Sequence, residues 1–271
     1  MTRLATAAVL APVLWVLIKR TPAWAFTLSA TLLILIVASE CFRLFESRGD
    51  RPFTWAGIVA VAATVLSFQF ATPLLPTHLP IVVLVAATLV GAMCVRRDAE
   101  EVVRTAVATT FPVALVGLGL GYLVGLRGLP GEDGPDLLLL LFWCVIFGDT
   151  GAYYVGKNFG RRPLAPRLSP KKTWEGAGGA VAASVLAAVV AKTWFYQRLP
   201  WQHVIIVGMA LAVVGILGDL AESTLKRAAG VKDSSRLLPG HGGLLDRADS
   251  LLFAAPFLYY YYSSFLRIGG S

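Results

Sequence analysis

Asp219, Glu222 and Ser223 are spaced three and four residues apart in GDLAES, and Asp246 and Asp249 are three apart in LLDRADS. On a helix those steps place side chains on one face, so two acidic faces would flank one loop. The stretch they enclose also carries Lys226, Arg227, Lys232, Arg236 and Arg247, and the turn-rich PGHGG, Pro239–Gly243. Carboxylates gathered in this way suit a hard cation such as Mg²⁺, which takes a few carboxylates and completes its shell with substrate phosphates. Arginine grips phosphate as a fork and lysine as a point charge. Backbone N–H groups at Gly242 and Gly243 could face an anion. A basic cluster alone reads as a lipid-headgroup contact. Interleaved with carboxylates and glycines, it resembles a site where a metal and cations share a polyphosphate.

Two carboxylates follow long uncharged runs, Asp149 in LFWCVIFGDTGAYYVG and Asp219 in VVGILGDLAES. Ionisable groups inside membrane segments are costly and point to function; the alternative is that each ends a helix at the interface. Both follow a glycine, which lets a backbone or ligand come close. Glu40, late in the second apolar run, reads as a structural interface residue. In SPKKTWEG, Ser169–Gly176, Ser169-Pro170 is a turn signal, Thr173 is a helix-cap candidate, and Lys171 and Lys172 fall at a membrane surface. With three histidines (His78, His203, His241) and no cysteine cluster, zinc is disfavoured. Cys41, Cys94 and Cys144 each sit alone in an apolar run, so neither a disulfide framework nor a cysteine metal site is implied.

The elements that must position these groups are apolar. The chain has 271 residues, 56% hydrophobic and 15% charged, with mean hydropathy +0.70, against about 25% charged in soluble domains. The expected class is an all-α polytopic membrane protein forming one domain, with N-terminal helices over 1–136 and catalytic helices and loops over 137–271. At about 20 residues per crossing, the candidate spans are Leu4–Ile18, Ala23–Phe42, Thr54–Phe70, Leu79–Val95, Val102–Leu126, Leu137–Gly156, Gly176–Phe195, His203–Leu220 and Ala248–Leu266. That makes about nine helices, or eight if the first two merge. A cleaved signal peptide ending near AWA is the weaker reading, because Lys19 and Arg20 interrupt the run. The even-numbered loops and the N-terminus hold 18 of the 24 Lys and Arg, which places them in the cytoplasm. The acidic GEDGPD and the uncharged-to-weakly polar ATPLLPTHLP then face outward. The net charge of +8 is thus partly topological, and nucleic acid is not expected as a partner.

Ser223–Asp249, STLKRAAGVKDSSRLLPGHGGLLDRAD, resembles the signature of the phosphatidate cytidylyltransferase (CDP-diacylglycerol synthase) family, and SPKKTWEG and FGDTGAYYVGKNFG, Phe147–Gly160, resemble two further stretches of it. The similarity covers about Asp149 to Ser250; the N-terminal helices match only in being apolar. Ala248 and Ala221 depart from the larger apolar residues usual there and remove no ionisable group. The resemblance implies Mg²⁺-dependent transfer of CMP from CTP to phosphatidate, releasing pyrophosphate, in a bacterial-type plasma membrane with the site on the cytoplasmic face. A second, monovalent cation and a homodimer are left open. Asp219, Asp246 and Asp249 are then expected as metal carboxylates, with Asp149 less firmly tied to the site. Asp246, Asp249, Lys226, Arg247 and His241 are expected to act in catalysis. Lys172, Ser223, Arg227, Lys232, Gly242 and Gly243 are expected to bind substrate. Competing readings are an ion-relay transporter, a non-catalytic scaffold, a transferase for another lipid phosphate, and a CDP-alcohol phosphotransferase. The last needs a paired-Asp motif that this sequence lacks, and the transporter needs ionisable groups that Thr54–Phe70 and Leu79–Val95 do not hold.

Overall fold

A computed structural model describes residues 12–70, 76–235, 237 and 242–266. Arg3, Arg236, Pro239, His241 and Arg267 therefore lie outside the described residues, as do most of Leu4–Ile18 and half of the ATPLLPTHLP loop. Helix α1 runs over 12–19. It is followed by α2 (Ala23–Ser47), α3 (Thr54–Phe70), α4 (Leu79–Val95), α5 (Ala99–Pro112), α6 (Gly119–Arg127), α7 (Asp133–Phe159), α8 (Trp174–Trp194), α9 (Trp201–Ala228), α10 (Leu245–Ala248) and α11 (Leu251–Tyr261).

Local chemistry sets the ends. Asp98 accepts from Glu101 N at 2.8 Å and starts α5; Thr173 accepts from Gly176 N at 3.1 Å and starts α8, as its sequence position suggests. Gly49 and Gly230, just past α2 and α9, take φ of +87° and +70°, a left-handed turn that glycine adopts without a Cβ penalty. Pro112 cannot donate to the ladder, and the chain continues through a π-helical turn, Val113–Leu118, before α6.

Five helices are long and apolar enough to cross a membrane: α2, the continuous Ala99–Arg127, α7, α8 and α9. α3 and α4 have 17 residues each, about 25 Å at 1.5 Å per residue, short of a hydrocarbon core of about 30 Å. The last apolar run is divided into α10, α11 and a π-helical turn, Tyr262–Leu266. The expected count of nine spans is thus supported for five. The all-α expectation needs one amendment: Pro163–Ala165 (β1) and Ser169–Thr173 (β2) form an antiparallel hairpin between α7 and α8. Ser169-Pro170 is strand rather than turn. A two-stranded hairpin has a free edge, where proline's missing N–H costs no ladder bond.

Polar contacts gather at two ends of the bundle. At one, Lys19 pairs with Asp136, Arg127 Nη2 donates to Thr21 O at 2.9 Å and Tyr262 OH to Asp133 at 3.0 Å. At the other, Arg96 Nη2 donates to Arg51 O at 2.9 Å and Thr54 to Glu46 at 2.7 Å. Between them lies one apolar core, drawn from both halves of the chain and including Val61, Leu138, Leu211 and Leu252. Large apolar side chains such as Trp24, Val59, Leu186 and Ile205 remain on the outside. An apolar exterior of this kind fits an integral membrane protein.

Candidate active site

Close helix packing brings the acidic groups together. A Cβ on Gly151 of α7 would lie 2.5 Å from Gly179 O of α8, and one on Gly179 would lie 2.6 Å from Val155. A Cβ on Gly208 would lie 2.7 Å from Val185 Cα, between α9 and α8. Small residues let helix backbones approach in this way. Gly218 does the same beside the site: a Cβ there would collide with Asp249 O. Glycine at that position lets α9 pass against the turn before α11, and Asp219 consequently meets Asp249.

One carboxylate oxygen from each of Asp219, Glu222 and Asp249 lies within 4.8 Å of the others. Lys172, from β2, reaches Asp219 Oδ2 at 2.5 Å. Lys226, one turn beyond Glu222, lies 2.6 Å from Glu222 Oε2 and 2.5 Å from Asp246 Oδ1. Ser223 Oγ is 3.4 Å from Asp219 Oδ1. Asp149 stands across from this group on α7, within electrostatic reach of Asp219, Lys172 and Arg247. A cavity of about 540 Å³ opens beside it, lined by Asp149, Tyr153, Lys157, Lys171, Lys172 and Asp219 among others.

Asp246 lies beside Glu222, within hydrogen-bond reach of it, although it is not one of the three carboxylates within 4.8 Å of one another. Its Oδ1 takes Lys226; its Oδ2 accepts from Ser234 N (3.0 Å), Ser234 Oγ (2.9 Å) and Gly243 N (2.7 Å). Burial by itself would raise this carboxyl, but the Lys226 ammonium and the Gly243 and Ser234 amides outweigh it and hold it at about 2. Both Asp246 oxygens are engaged, tying Ser234 and Gly243 to Lys226, and Glu222 joins Asp219 and Asp249 in the acidic trio. The sequence signal for Glu222 is its three-residue step from Asp219.

The other expected residues divide. Lys172 and Asp149 line the cavity. Arg227, exposed, donates to Val231 O at 3.1 Å and reaches Leu168 O of the hairpin at 3.4 Å, so it ties two loops. Lys232 and Arg247 are exposed and, with Arg227, are not among the cavity's described lining. Gly242 takes φ +79°, and a Cβ there would lie 2.7 Å from Asp246 Oδ2. Gly243 N donates to the same oxygen, so these glycines serve the loop's own carboxylate. Lys157, Lys171 and Tyr153 join the cavity through the hairpin and α7, a placement that spacing alone does not indicate.

The donor set suits a hard divalent cation. It is all carboxylate, no His or Cys belongs to the cluster among the described residues, and both Glu222 oxygens are buried without an aligned hydrogen bond.

A sequence model described as the cytidylyltransferase family matches residues 1–265. A phosphatidate cytidylyltransferase from Bacillus subtilis is 40% identical over 153 residues, 56% of this chain and 56% of that protein. One from Haemophilus influenzae is 48% identical over 133 residues, 48% of this chain and 46% of that protein. One from Synechocystis is 47% identical over 134 residues, 48% of this chain and 45% of that protein. The matched region spans about half the length of these curated relatives.

Proposed function

The chain belongs to the cytidylyltransferase family, and from that membership we propose that it transfers CMP from CTP to phosphatidate, forming CDP-diacylglycerol for phospholipid synthesis. The observation that carries the reading is the cavity in which Lys157, Lys171 and Lys172 stand beside Asp149 and Asp219. That arrangement suits bringing two polyanions together. An oxygen of the lipid phosphate attacks the α-phosphorus of CTP, and the bond from that phosphorus to the oxygen bridging to the β-phosphate breaks, releasing pyrophosphate. The attacking oxygen is already anionic, so no strong base is required, and the work is positioning and charge compensation.

Asp219, Glu222 and Asp249 would hold Mg²⁺. Bound there, the ion would neutralise phosphate charge and orient the α-phosphate. Lys172 is placed to receive substrate phosphate on leaving its ion pair with Asp219, and Lys157 and Lys171 add cationic charge along the wall. Lys226 holds Glu222 toward the cluster while anchored to Asp246. Asp149 adds negative potential on the α7 side. Arg247, within electrostatic reach of Asp149, would add positive charge that draws anions in. The connections at this end of the bundle carry most of the Lys and Arg, which supports a cytoplasmic site. The residues that serve CTP and those that serve phosphatidate would meet where the cavity reaches the bilayer edge.

The test is pyrophosphate release from the full chain in detergent with CTP, phosphatidate and Mg²⁺, with ATP in place of CTP as one control and Asp219→Asn as another. CTP-specific release that falls at least about 100-fold in Asp219→Asn is expected. No release from folded wild-type protein across several phosphatidate species would overturn the reading.

A further inference from the structure

Glu40 lies in α2 and is 1% exposed. Sequence reading makes it an interface residue with no link to the chemistry. Its partners are 194 to 205 residues away in sequence. Oε1 accepts from Ser235 Oγ at 2.6 Å and Leu244 N at 3.1 Å; Oε2 accepts from Ser234 Oγ at 3.0 Å and Leu245 N at 2.7 Å. Oε1 thus receives one hydroxyl and one backbone amide, Oε2 receives one backbone amide and shares the single Ser234 hydroxyl proton with Asp246 Oδ2, and together they hold Ser234 and Ser235 beside Leu244 and Leu245. Ser234 lies between Glu40 and Asp246, touching both carboxylates. Gly243 is held in the same space, where a Cβ would lie 2.5 Å from Glu40 Oε2 and collide with Ser234 Oγ. From Asp246 the contacts continue through Lys226 to Glu222, the most buried of the three clustered carboxylates.

We propose that Glu40 is a positioning residue for the transfer reaction: an N-terminal-half carboxylate that clamps Ser234 and Ser235 against Leu244 and Leu245 and thereby holds Asp246, Lys226 and Glu222 in register with Asp219 and Asp249. The inference rests on the cytidylyltransferase reading above. The clamp works by acceptor count. Glutamine has the same shape but presents an NH₂ where one oxygen stood. A serine hydroxyl can rotate to meet it; the Leu244 or Leu245 amide cannot, and is left buried without an acceptor.

Three full-length variants, Glu40→Gln, Glu40→Asp and Ser235→Ala, separate this role from simple core filling. The kcat and the CTP KM are measured below each variant's unfolding temperature, and the rate of trypsin cleavage at exposed Lys232 is followed by mass spectrometry. For Glu40→Gln we expect kcat about tenfold lower, CTP KM within about threefold and cleavage at Lys232 about tenfold faster. Glu40→Asp keeps both acceptors and should recover part of the kcat, although it removes a methylene; core filling alone would rank Gln above Asp. Ser235→Ala removes a single donor from a half-buried position and should lower kcat severalfold even if the Glu40 variants fail to fold. Wild-type kcat in folded Glu40→Gln, unchanged cleavage, or wild-type kcat in Ser235→Ala would each overturn the clamp. If the wild type makes no CDP-diacylglycerol, the functional reading fails on its own, and the cleavage rates still decide whether Glu40 orders the loop.

Discussion

At the residue scale, three carboxylates from two elements converge, and the neighbouring lysines are divided between them: Lys172 faces Asp219, and Lys226 bridges Glu222 and Asp246. Asp246, beside Glu222, is held by Lys226, Ser234 and Gly243. Because its folded-state carboxyl sits near 2, below an unfolded value of about 3.9, its stabilising effect is complete above the unfolded value and is lost as pH falls through about 2. Asp246→Asn, which leaves the Ser234 and Gly243 amides poorly accepted, should therefore lower the unfolding temperature at both pH 5 and pH 8. Thermal unfolding of both proteins in detergent at the two pH values checks this. No decrement at either pH would mean that the hydrogen-bonded picture is wrong.

At the element scale, glycines decide how near the helices come. Gly218→Ala improves helix propensity by up to about 1 kcal/mol, but its methyl group meets Asp249 O, a backbone atom with little freedom to retreat. The variant should remain folded and lose at least about tenfold in kcat, since displacing a carboxylate of the cluster by a fraction of an ångström is enough for that. Steady-state kinetics alongside circular dichroism tests it; undiminished turnover would remove Gly218 from the account. The hairpin β1–β2 is the second positioning device. It was not legible as strands, because Ser-Pro and a run of lysines carry turn and surface signals. The pairing joins residues at the junction of α7 and α8.

At the scale of the whole molecule, the polar residues divide between two ends of an apolar bundle, and only one end holds the acidic cluster. Lys192 and Lys172 illustrate the division. Lys192 lies in the last turn of α8, beside Gln197 O and over the Trp201 ring, whereas Lys172 lies just before the first turn of the same helix and lines the cavity. Lys192→Ala should leave kcat within about twofold, and Lys172→Ala should lower it at least about tenfold. Equal effects from the two substitutions would place the site wrongly.

The sequence by itself determined the class of protein, the apolar segments and the shared helix face of Asp219 and Glu222, because these depend on hydropathy and helical spacing, which are local. It also supplied the resemblance that named the chemistry. It could not connect Asp246 with Ser234 and Gly243, nor Glu40 with Ser234, Ser235, Leu244 and Leu245. Those assignments depend on which donors a carboxylate meets across nearly the full length of the chain. Only the packing of α2 against the loop and of α9 against the turn at Asp249 decides that.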